Sequence, residues 1–284
     1  MNTISPPRSS PKGRPRAIVP GLIAIATLLA VLGVFVLNRF VHQRFITANG
    51  PRRGLRVLTW NVGKLYLPWE SRASDRDLRH VAKVICAVNP HVVALQEMRD
   101  AEQLGRLLAI LGRGWRGAIP HDPWDRRPAL LIRLHGRFFT VPTTSGRVAQ
   151  GATVDSPSGR HVTVVSLHLD AFDAQRRYDQ AQDILASLEH RDKSPKILLG
   201  DFNIDPRTAT KHSVDERLYG MLTRDLADAG AHGDATTIFA RRIDYVFYSK
   251  RPLAQSSVRV LREQRIHAMD HDPLVADISF KKGS

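Results

Sequence analysis

Polar side chains able to bind metals or transfer protons follow apolar runs at six places in the chain. In chain order they are Asn61, Glu97, His168, the pair Asp201 and Asn203, Asp244, and the pair Asp270 and His271. Asp201 and Asn203 are two positions apart, so an extended backbone presents both on one face. Amides, carboxylates and imidazoles supply many of the metal ligands, acids and bases of enzymes. One such segment is weak evidence, but six in this order, each closing an apolar run, indicate a functional site.

The residues around these segments predict short strands that alternate with amphipathic helices. Strand-like runs cover 55–60, 91–95 and 196–199, and apolar residues at helical spacing mark helices near 78–85, 104–111 and 174–188. The runs 147–154 and 161–169 flank Ser156–Pro157–Ser158–Gly159, which predicts a hairpin. The second of these runs is apolar on both faces, as expected for a strand in a sheet that is covered on both sides. Two sheets packed together with helices outside them satisfy this pattern.

Composition allows one large domain and excludes several other classes. The chain has 284 residues, of which 43% are hydrophobic, enough for a proper core. A lone cysteine, Cys86, excludes a disulfide-stapled scaffold, and its position on an amphipathic helix predicts a small buried side chain. The net charge of +15 suggests nucleic acid, but nine of the excess positive charges lie in residues 1–56, which contain no Asp or Glu. The remainder carries an excess of only six, so the basicity belongs mainly to the N-terminal segment.

Residues 17–37 form an uncharged, mostly apolar stretch of 21 residues. As a helix this stretch spans roughly 30 Å, the thickness of a bilayer's hydrocarbon core, so we predict a transmembrane helix at 17–38. A signal peptide, which needs a cleavage site of small residues, and a buried core helix are the alternatives. The predicted organisation is a basic tail at 1–16, the membrane helix, a linker at 39–54 and a folded domain at 55–284. The positive charge before this single span favours a cytoplasmic N-terminus and a folded domain outside the cytoplasm.

Six segments carry a resemblance to a known family: LTWN, ALQEM, SLHLD, GDFN, RIDYVF and MDHDPL. They resemble the motifs of the endonuclease/exonuclease/phosphatase superfamily, which includes pancreatic-type deoxyribonucleases, abasic-site endonucleases, inositol-polyphosphate 5-phosphatases and neutral sphingomyelinases. The resemblance covers about residues 55–280. It implies a four-layer α/β/β/α sandwich of two packed mixed sheets, with the site at the top of the sheets. It also implies a hydrolase that uses Mg²⁺, or Mn²⁺, to cleave phosphate esters by in-line attack of water.

The same resemblance implies a role for each polar residue at a strand end. The implied metal ligands are Glu97, as the main ligand, with Asn61 and Asp270 near the same ion. The implied catalytic residues are Asp201 as the base or water-orienting carboxylate, Asn203 as its phosphate-holding partner, His271 paired with Asp244 to stabilise charge on phosphorus, and His168 as a phosphate contact. Arg242, within RIDYVF, is a candidate substrate contact.

Three positions depart from the family's pattern. Met269 stands where Ser is frequent, Ser166 where Thr or Asn is common, and His91 where Asp is frequent. None of these changes removes a catalytic group. The change at Met269 bears on how the Asp270 loop is held.

These residues do not select a substrate. We expect a nuclease-like phosphodiesterase, with a phospholipid, inositol-phosphate or sphingomyelin phosphoesterase as the alternative. A catalytically silent, membrane-tethered binding module is the alternative of another class, although such relatives usually lack several of the ionisable residues. The expected partners are a phosphate-ester substrate, either nucleic acid or a lipid head group, and the membrane through the N-terminal helix. No obligate protein partner is implied.

Overall fold

Two six-stranded β-sheets form the centre of the described structure. The computed structural model describes residues 54–63, 75–121, 126–230, 233–266 and 269–281, all within the unit Thr47–Ser284. The strands are β1 (Leu55–Asn61), β2 (Val92–Met98), β3 (Arg116–Ala118), β4 (Arg127–Ile132), β5 (Gly136–Pro142), β6 (Val148–Asp155), β7 (His161–His168), β8 (Lys196–Asp201), β9 (Leu226–Asp228), β10 (Asp244–Ser249), β11 (Leu253–Val260) and β12 (Leu274–Phe280). The helices are α1 (Asp75–Val88), α2 (Ala101–Leu111), α3 (Ala174–Arg191) and α4 (Val214–Asp225), with a short 3-10 helix at Arg262–Gln264.

Both sheets are mixed, and each has one parallel pair at its centre. The first sheet has the order β11-β12-β1-β2-β4-β3, and the second has the order β5-β6-β7-β8-β10-β9. β1 runs parallel to β2 and β7 runs parallel to β8, whereas all other neighbours in the two sheets are antiparallel. Helix α1 connects the first parallel pair and α3 the second. Because the strands of each pair run the same way, their C-terminal ends lie together at one edge of the sheet.

Apolar side chains from both sheets fill the space between them. Leu55 and Val57 of the first sheet belong to the same buried cluster as Val164 and Leu199 of the second. Removing such side chains from water contributes roughly 25 cal/mol for each Å² of apolar surface. The predicted pair of packed mixed sheets is thereby confirmed.

Helices cover the outer faces of the two sheets. Ile184 of α3 and Leu222 of α4 share a buried cluster with Leu198 on the outer face of the second sheet. On the first sheet, the ring of His80 in α1 meets the buried ring of Trp60 edge to face, with 6.1 Å between centroids. The layers therefore run helix, sheet, sheet, helix.

Two local predictions have different outcomes. β6 and β7 pair in antiparallel fashion, with Asp155 opposite His161, which confirms the hairpin. The prediction that Cys86 is buried is wrong, because its side chain is exposed. The buried stripe of α1 runs through positions 78, 81, 82 and 85, and Cys86 follows the last of these on the solvent side.

Within the described ranges, no helix is both long and apolar enough to cross a membrane. The predicted basic tail at 1–16, the membrane helix at 17–38 and all of the linker except Gly54 lie outside the described residues. The membrane anchor therefore stays a prediction.

Candidate active site

The polar residues singled out in the sequence meet where the two parallel pairs end. β1 ends at Asn61, and Glu97 is the penultimate residue of β2. In the second sheet Asp201 is the strand neighbour of His168 on one side and of Asp244 on the other. The side-chain amide of Asn61 donates a hydrogen bond to Asp201 Oδ2 over 3.0 Å. The ends of the two sheets therefore touch, and residues from both contribute to one site.

Left-handed backbone occurs at two of these residues. Glu97 has a φ of 57° and lies at an irregularity in the pairing of β2 with β4, between Leu95 and Met98. Asn203, just after β8, has a φ of 54°. This conformation is uncommon for residues other than Gly and is found preferentially at functional sites. A bulge in a strand also changes the direction of a side chain, which accounts for the orientation of Glu97.

The strand before Asp201 requires glycine. Gly200 has a φ of 154°, and a Cβ added to it would lie 2.0 Å from the carbonyl oxygen of Leu167. No side chain tolerates that separation, so any larger residue at position 200 would push β7 and β8 apart. The close approach keeps Asp201 beside His168.

Asp201 lies at the centre of the site and is buried. Its Oδ2 accepts the hydrogen bond of Asn61 and lies 3.5 Å from His168 Nε2 and 3.7 Å from His271 Nε2. Its Oδ1 accepts a hydrogen bond from the backbone N–H of Asn203 at 2.9 Å. Burial raises the pKa of Asp201 above its usual range, although the two histidines act in the opposite direction. The result is a carboxylate that is more basic than one on the surface.

The two histidines beside Asp201 have opposite protonation preferences. Burial by itself would lower the pKa of His271, but a 2.8 Å hydrogen bond between its Nδ1 and Asp244, together with the charges of Asp244, Asp201 and Asp270, raises that pKa to about 10. Nδ1 of His168 faces a backbone carbonyl oxygen at 3.4 Å instead, and burial lowers the pKa of His168 to about 4. At neutral pH His271 is therefore a cation and His168 is neutral.

The carboxylates of Glu97 and Asp270 lie on the more open side of the site. The Glu97 side chain is 17% exposed and that of Asp270 is 50% exposed, whereas those of Asp201 and Asp244 are at most 2% exposed. Mg²⁺ takes hard oxygen ligands and usually keeps several of its waters, so it needs donors that water can reach. The two carboxylates are donors of that kind, whereas Asn61 is buried and its amide oxygen already accepts a hydrogen bond from the backbone N–H of Gly63 at 3.1 Å.

A second group of possible metal ligands is buried. Asp201, Asp244 and His271 each place one ligand atom within 4.8 Å of the other two, close enough to hold a metal ion. A metal ligand must be deprotonated, however, and the contact with Asp244 favours the protonated form of His271. This group can serve in proton transfer and charge stabilisation, and it would bind a metal ion only after His271 loses a proton. Asp244 Oδ1 is buried and has no hydrogen-bond partner among the described residues, so it retains acceptor capacity.

Arg242 does not lie where a substrate contact would. Its side chain is only 5% exposed, and its Nη1 and Nη2 bind the two carboxylate oxygens of Asp228 at 2.8 and 2.5 Å. The guanidinium also lies 4.2 Å from the centre of the Tyr245 ring. The prediction for Arg242 is corrected accordingly: its charge is neutralised inside the fold, where it joins β9 to the start of β10.

Two residues near the site were not identified from the sequence. Gln96 accepts a hydrogen bond from Thr59 at 3.2 Å and donates one to Ser166 at 3.3 Å, so it joins the two sheets inside the sandwich. Its position within ALQEM was the available signal. Arg126 is 44% exposed, and its Nη1 lies 3.6 Å from Glu97 Oε1. No motif surrounds Arg126, and only the fold brings it to the site.

The loop that carries Asp270 and His271 is held by the first sheet. The indole N–H of Trp60 donates to the carbonyl oxygen of His271 at 3.3 Å. The sulfur of Met269 lies over Gly63, where an added Cβ would be 2.4 Å from it. The family departure at Met269 therefore provides a packing contact between this loop and the residues that follow Asn61.

Carboxylates and histidines are thus gathered at one edge of a sandwich of two mixed sheets. The model of the Endonuclease/Exonuclease/phosphatase family matches residues 58–279, and the chain belongs to this family. Enzymes of the family hydrolyse phosphate esters and generally depend on a divalent metal ion.

The chain is also similar to individual proteins, one by sequence and two by fold. Over 144 residues the chain is 31% identical to the uncharacterized protein F14F9.5 of Caenorhabditis elegans. The aligned region is 50% of this chain and 42% of that protein. The fold is similar to an endonuclease/exonuclease/phosphatase from Beutenbergia cavernae, with a TM-score of 0.67 and 23% identity over 80% of this chain and 72% of that one. It is also similar to the catalytic domain of human Nocturnin, with a TM-score of 0.63 and 23% identity over 83% and 100% of the two chains. The solved structures establish the fold, and the chain spans less than half of the worm relative.

Proposed function

We propose that the chain is a Mg²⁺-dependent phosphodiesterase that directs water to attack a phosphate ester in line with the leaving group. The observation that carries the proposal is the environment of Asp201, whose Oδ2 has Asn61, His168 and His271 within 3.7 Å at the junction of the two sheets. A carboxylate there can accept a proton from water while its neighbours hold the charge of the phosphate.

Glu97, Asn61 and Asp270 would hold the metal ion. Their oxygens are hard donors, and the two carboxylates lie on the open side of the site, which suits Mg²⁺ and also Mn²⁺. When bound, the ion supplies positive charge that polarises the phosphate and orients its oxygens. The buried group of Asp201, Asp244 and His271 is left for the protein's own acid–base chemistry.

Each buried residue has a proposed part in that chemistry. Asp201 is the base, because burial makes its carboxylate more basic and Asn61 and Asn203 hold its two oxygens in place. His271, kept protonated by Asp244, stabilises the negative charge that builds up on the phosphoryl oxygens. Neutral His168 contacts the phosphate by hydrogen bonding.

Asn203 assists in holding the phosphate. One N–H of its side chain donates to the carbonyl oxygen of Leu169 at 3.0 Å. An amide has a second N–H, which is left for a phosphate oxygen. The left-handed backbone at Asn203 keeps the side chain in this position.

Two substrate classes are favoured by different observations. The exposed guanidinium of Arg126 beside Glu97 suits the phosphates of a nucleic acid, which supply most of the affinity in such complexes. Exposed apolar side chains in two loops next to the site favour a phospholipid head group as the second candidate. Both substrates contain the same phosphodiester, so the catalytic residues serve either.

The test is hydrolysis by the purified full chain with Mg²⁺, with Mn²⁺ or with EDTA. The substrates are plasmid DNA, RNA, phosphoinositides and sphingomyelin, and Asp201→Ala reports any contaminating activity. We expect metal-dependent cleavage of one class, which EDTA and Asp201→Ala both abolish. A folded chain that cleaves none of these substrates, or cleaves equally well in EDTA, contradicts the proposal and favours the catalytically silent binding module.

We further propose a single-pass membrane protein with a cytoplasmic N-terminus and the catalytic domain outside the cytoplasm. The support is the uncharged stretch at 17–37 and the four basic residues that precede it. Reporter fusions after Ser284 test the topology. A reporter enzyme that works only outside the cytoplasm should be active when it is fused at this position. A reporter that works only in the cytoplasm contradicts the outward orientation.

A further inference from the structure

Large apolar side chains are exposed mainly in two loops of the described structure. Phe172 is 91% exposed, Phe239 is 68% exposed and Ile238 is 50% exposed. Among the described residues, the other large exposed apolar side chain is Ile110 of α2, at 44%. Burial of a Phe or Ile side chain is normally favourable, so three of them exposed in two loops indicate a surface for a partner. We call Phe172, Ile238 and Phe239 the apolar rim.

Both loops of the apolar rim are attached to the catalytic residues. In the first loop, the backbone N–H of Leu169 donates to the carbonyl oxygen of Asp201 at 3.0 Å, three residues before Phe172. In the second loop, the N–H of Ile238 donates to the carbonyl oxygen of Asp270 at 2.9 Å. The preceding residue, Thr237, pairs with His271 in a β-bridge. The rim therefore borders the site on two sides.

A third loop connects these two. Asn203 donates from its side chain to the carbonyl oxygen of Leu169 at 3.0 Å. Four residues later, Arg207 donates to the carbonyl oxygen of Ala240 at 3.0 Å. Hydrogen bonds thus link the loops at 169–173, 202–207 and 237–241 into one surface around Asp201.

Exposed arginines lie in or next to the loops of the apolar rim and beside the catalytic residues. The arginines are Arg126, Arg176 and Arg207, whose side chains are 44%, 59% and 46% exposed, and Arg241, which is also exposed. Asp173 lies 3.6 Å from Arg176, Asp205 lies 2.7 Å from Arg207 and Glu97 lies 3.6 Å from Arg126, so these three charges are partly compensated. Arg241 makes no ion pair with a described residue.

We propose that the apolar rim docks onto a bilayer surface that contains anionic phospholipids. Phe172, Ile238 and Phe239 would enter the boundary between head groups and acyl chains, to a depth of about 5–10 Å. Arg176 and Arg241 follow Phe172 and Phe239 closely in the chain, and arginine side chains at that level reach the lipid phosphates. Docking in this way faces Asp201 and its neighbours toward head-group phosphates. The substrate part of this inference rests on the proposed function, but the docking part does not.

The composition of the rim favours a membrane over nucleic acid. Single strands bind to proteins by stacking their bases on aromatic rings, and Ile238 offers no ring for that purpose. An aliphatic side chain beside two phenylalanines suits acyl chains, which take any apolar group. Arginine satisfies either partner, so the arginines do not discriminate.

The test places a fluorescent probe at single positions of the full chain. In a Cys86→Ser background, which removes the exposed native thiol, the variants Phe172→Cys, Phe239→Cys and Ile110→Cys are each labelled with nitrobenzoxadiazole. All three positions are exposed, so labelling leaves the core intact. Spectra are recorded in vesicles of phosphatidylcholine with phosphatidylglycerol, in phosphatidylcholine alone, and with a single-stranded oligonucleotide.

We expect a blue shift at positions 172 and 239 in the anionic vesicles, a smaller shift in phosphatidylcholine alone, and none at position 110. The matched position 110 separates docking of the rim from mere closeness to the vesicle. Equal spectra at all three positions overturn the proposal, as does a shift at 172 and 239 that only the oligonucleotide produces. An equal shift without phosphatidylglycerol overturns the requirement for anionic lipid. The readout needs no turnover, so failure of hydrolysis with an intact blue shift counts against the proposed function alone.

Discussion

The parallel pairs β1–β2 and β7–β8 are built alike and end differently. In the part of the chain that the structure describes, one helix lies between the strands of each pair, and each pair has antiparallel neighbours on both sides. The first pair ends in Asn61 and Glu97, with a bulge and a left-handed residue in β2. The second pair ends in His168 and Asp201 without a bulge, and glycine allows its strands to approach closely.

The difference in burial between these two strand ends separates two kinds of chemistry. The Glu97 side chain is 17% exposed, whereas that of Asp201 is 2% exposed and has two histidines beside it. An open carboxylate suits a hydrated cation, and a buried one with a raised pKa suits a base. One strand arrangement, used twice, thus provides the proposed metal side and the proposed proton-transfer side.

The largest expected effect comes from the buried side. Asp201→Asn keeps the shape of the side chain but removes the proposed base, so kcat should fall by about 10²- to 10⁴-fold. The Mg²⁺ concentration for half-maximal rate should stay unchanged, because Asp201 is not a proposed ligand. Steady-state kinetics across a Mg²⁺ titration measure both quantities. Asp179→Asn on α3, away from the strand ends, is the charge-matched control and should match wild type.

Two results for Asp201→Asn would contradict the assignment of proton transfer to the second pair and metal binding to the first. If Asp201→Asn kept wild-type kcat, the base would have to lie elsewhere. If it raised the Mg²⁺ requirement instead, Asp201 would belong to the metal site.

A smaller effect with a different signature is expected on the open side. Glu97→Gln removes one charged ligand, so the Mg²⁺ concentration for half-maximal rate should rise about 10- to 100-fold, with partial recovery of rate at high Mg²⁺. The same Mg²⁺ titration measures both the shift in the Mg²⁺ requirement and the recovery of rate. A loss of kcat that no Mg²⁺ concentration restores would show that Glu97 does more than bind the metal.

The last expected effect is on stability and not on turnover, and it concerns the close approach in the second pair. Gly200→Ala places a methyl group 2.0 Å from the Leu167 carbonyl, which should lower the free energy of unfolding by about 2–4 kcal/mol. For a chain of this size that corresponds to a fall in melting temperature of roughly 5–15 °C. Gly220→Ala in α4 is the control, because an added Cβ there meets nothing within 4 Å. Thermal melting followed by circular dichroism distinguishes them, and equal melting temperatures would mean that β7 and β8 tolerate a side chain.

The sequence predicted the architecture because apolar runs and turn residues are local features that can be read from neighbouring positions. Runs that are apolar on both faces indicated covered sheets, and Ser156–Gly159 indicated the hairpin. The structure also brings His168, Asp201 and Asn61, which the sequence singled out, within hydrogen-bonding or ion-pair distance.

What the sequence did not reveal depends on contacts between distant residues. Arg242 lies in a motif segment, but its partner Asp228 becomes visible only once β9 pairs with β10. Cys86 sits one position beyond a buried stripe, where periodicity alone cannot resolve which face it takes. Arg126 reaches Glu97 only because the first sheet brings them together.

The hydrogen bond between Asn61 and Asp201 joins residues 140 positions apart, and the link from Gln96 to Ser166 spans 70. Contacts of such long range form late, because closing a large loop costs conformational entropy before the contact contributes any stabilisation. The first sheet needs a contact of still longer range, because Arg56 of β1 pairs with Asp277 of β12, 221 positions away, and neither sheet by itself contains a complete site. During refolding, turnover should therefore lag behind the recovery of secondary structure and appear only when the two sheets have docked.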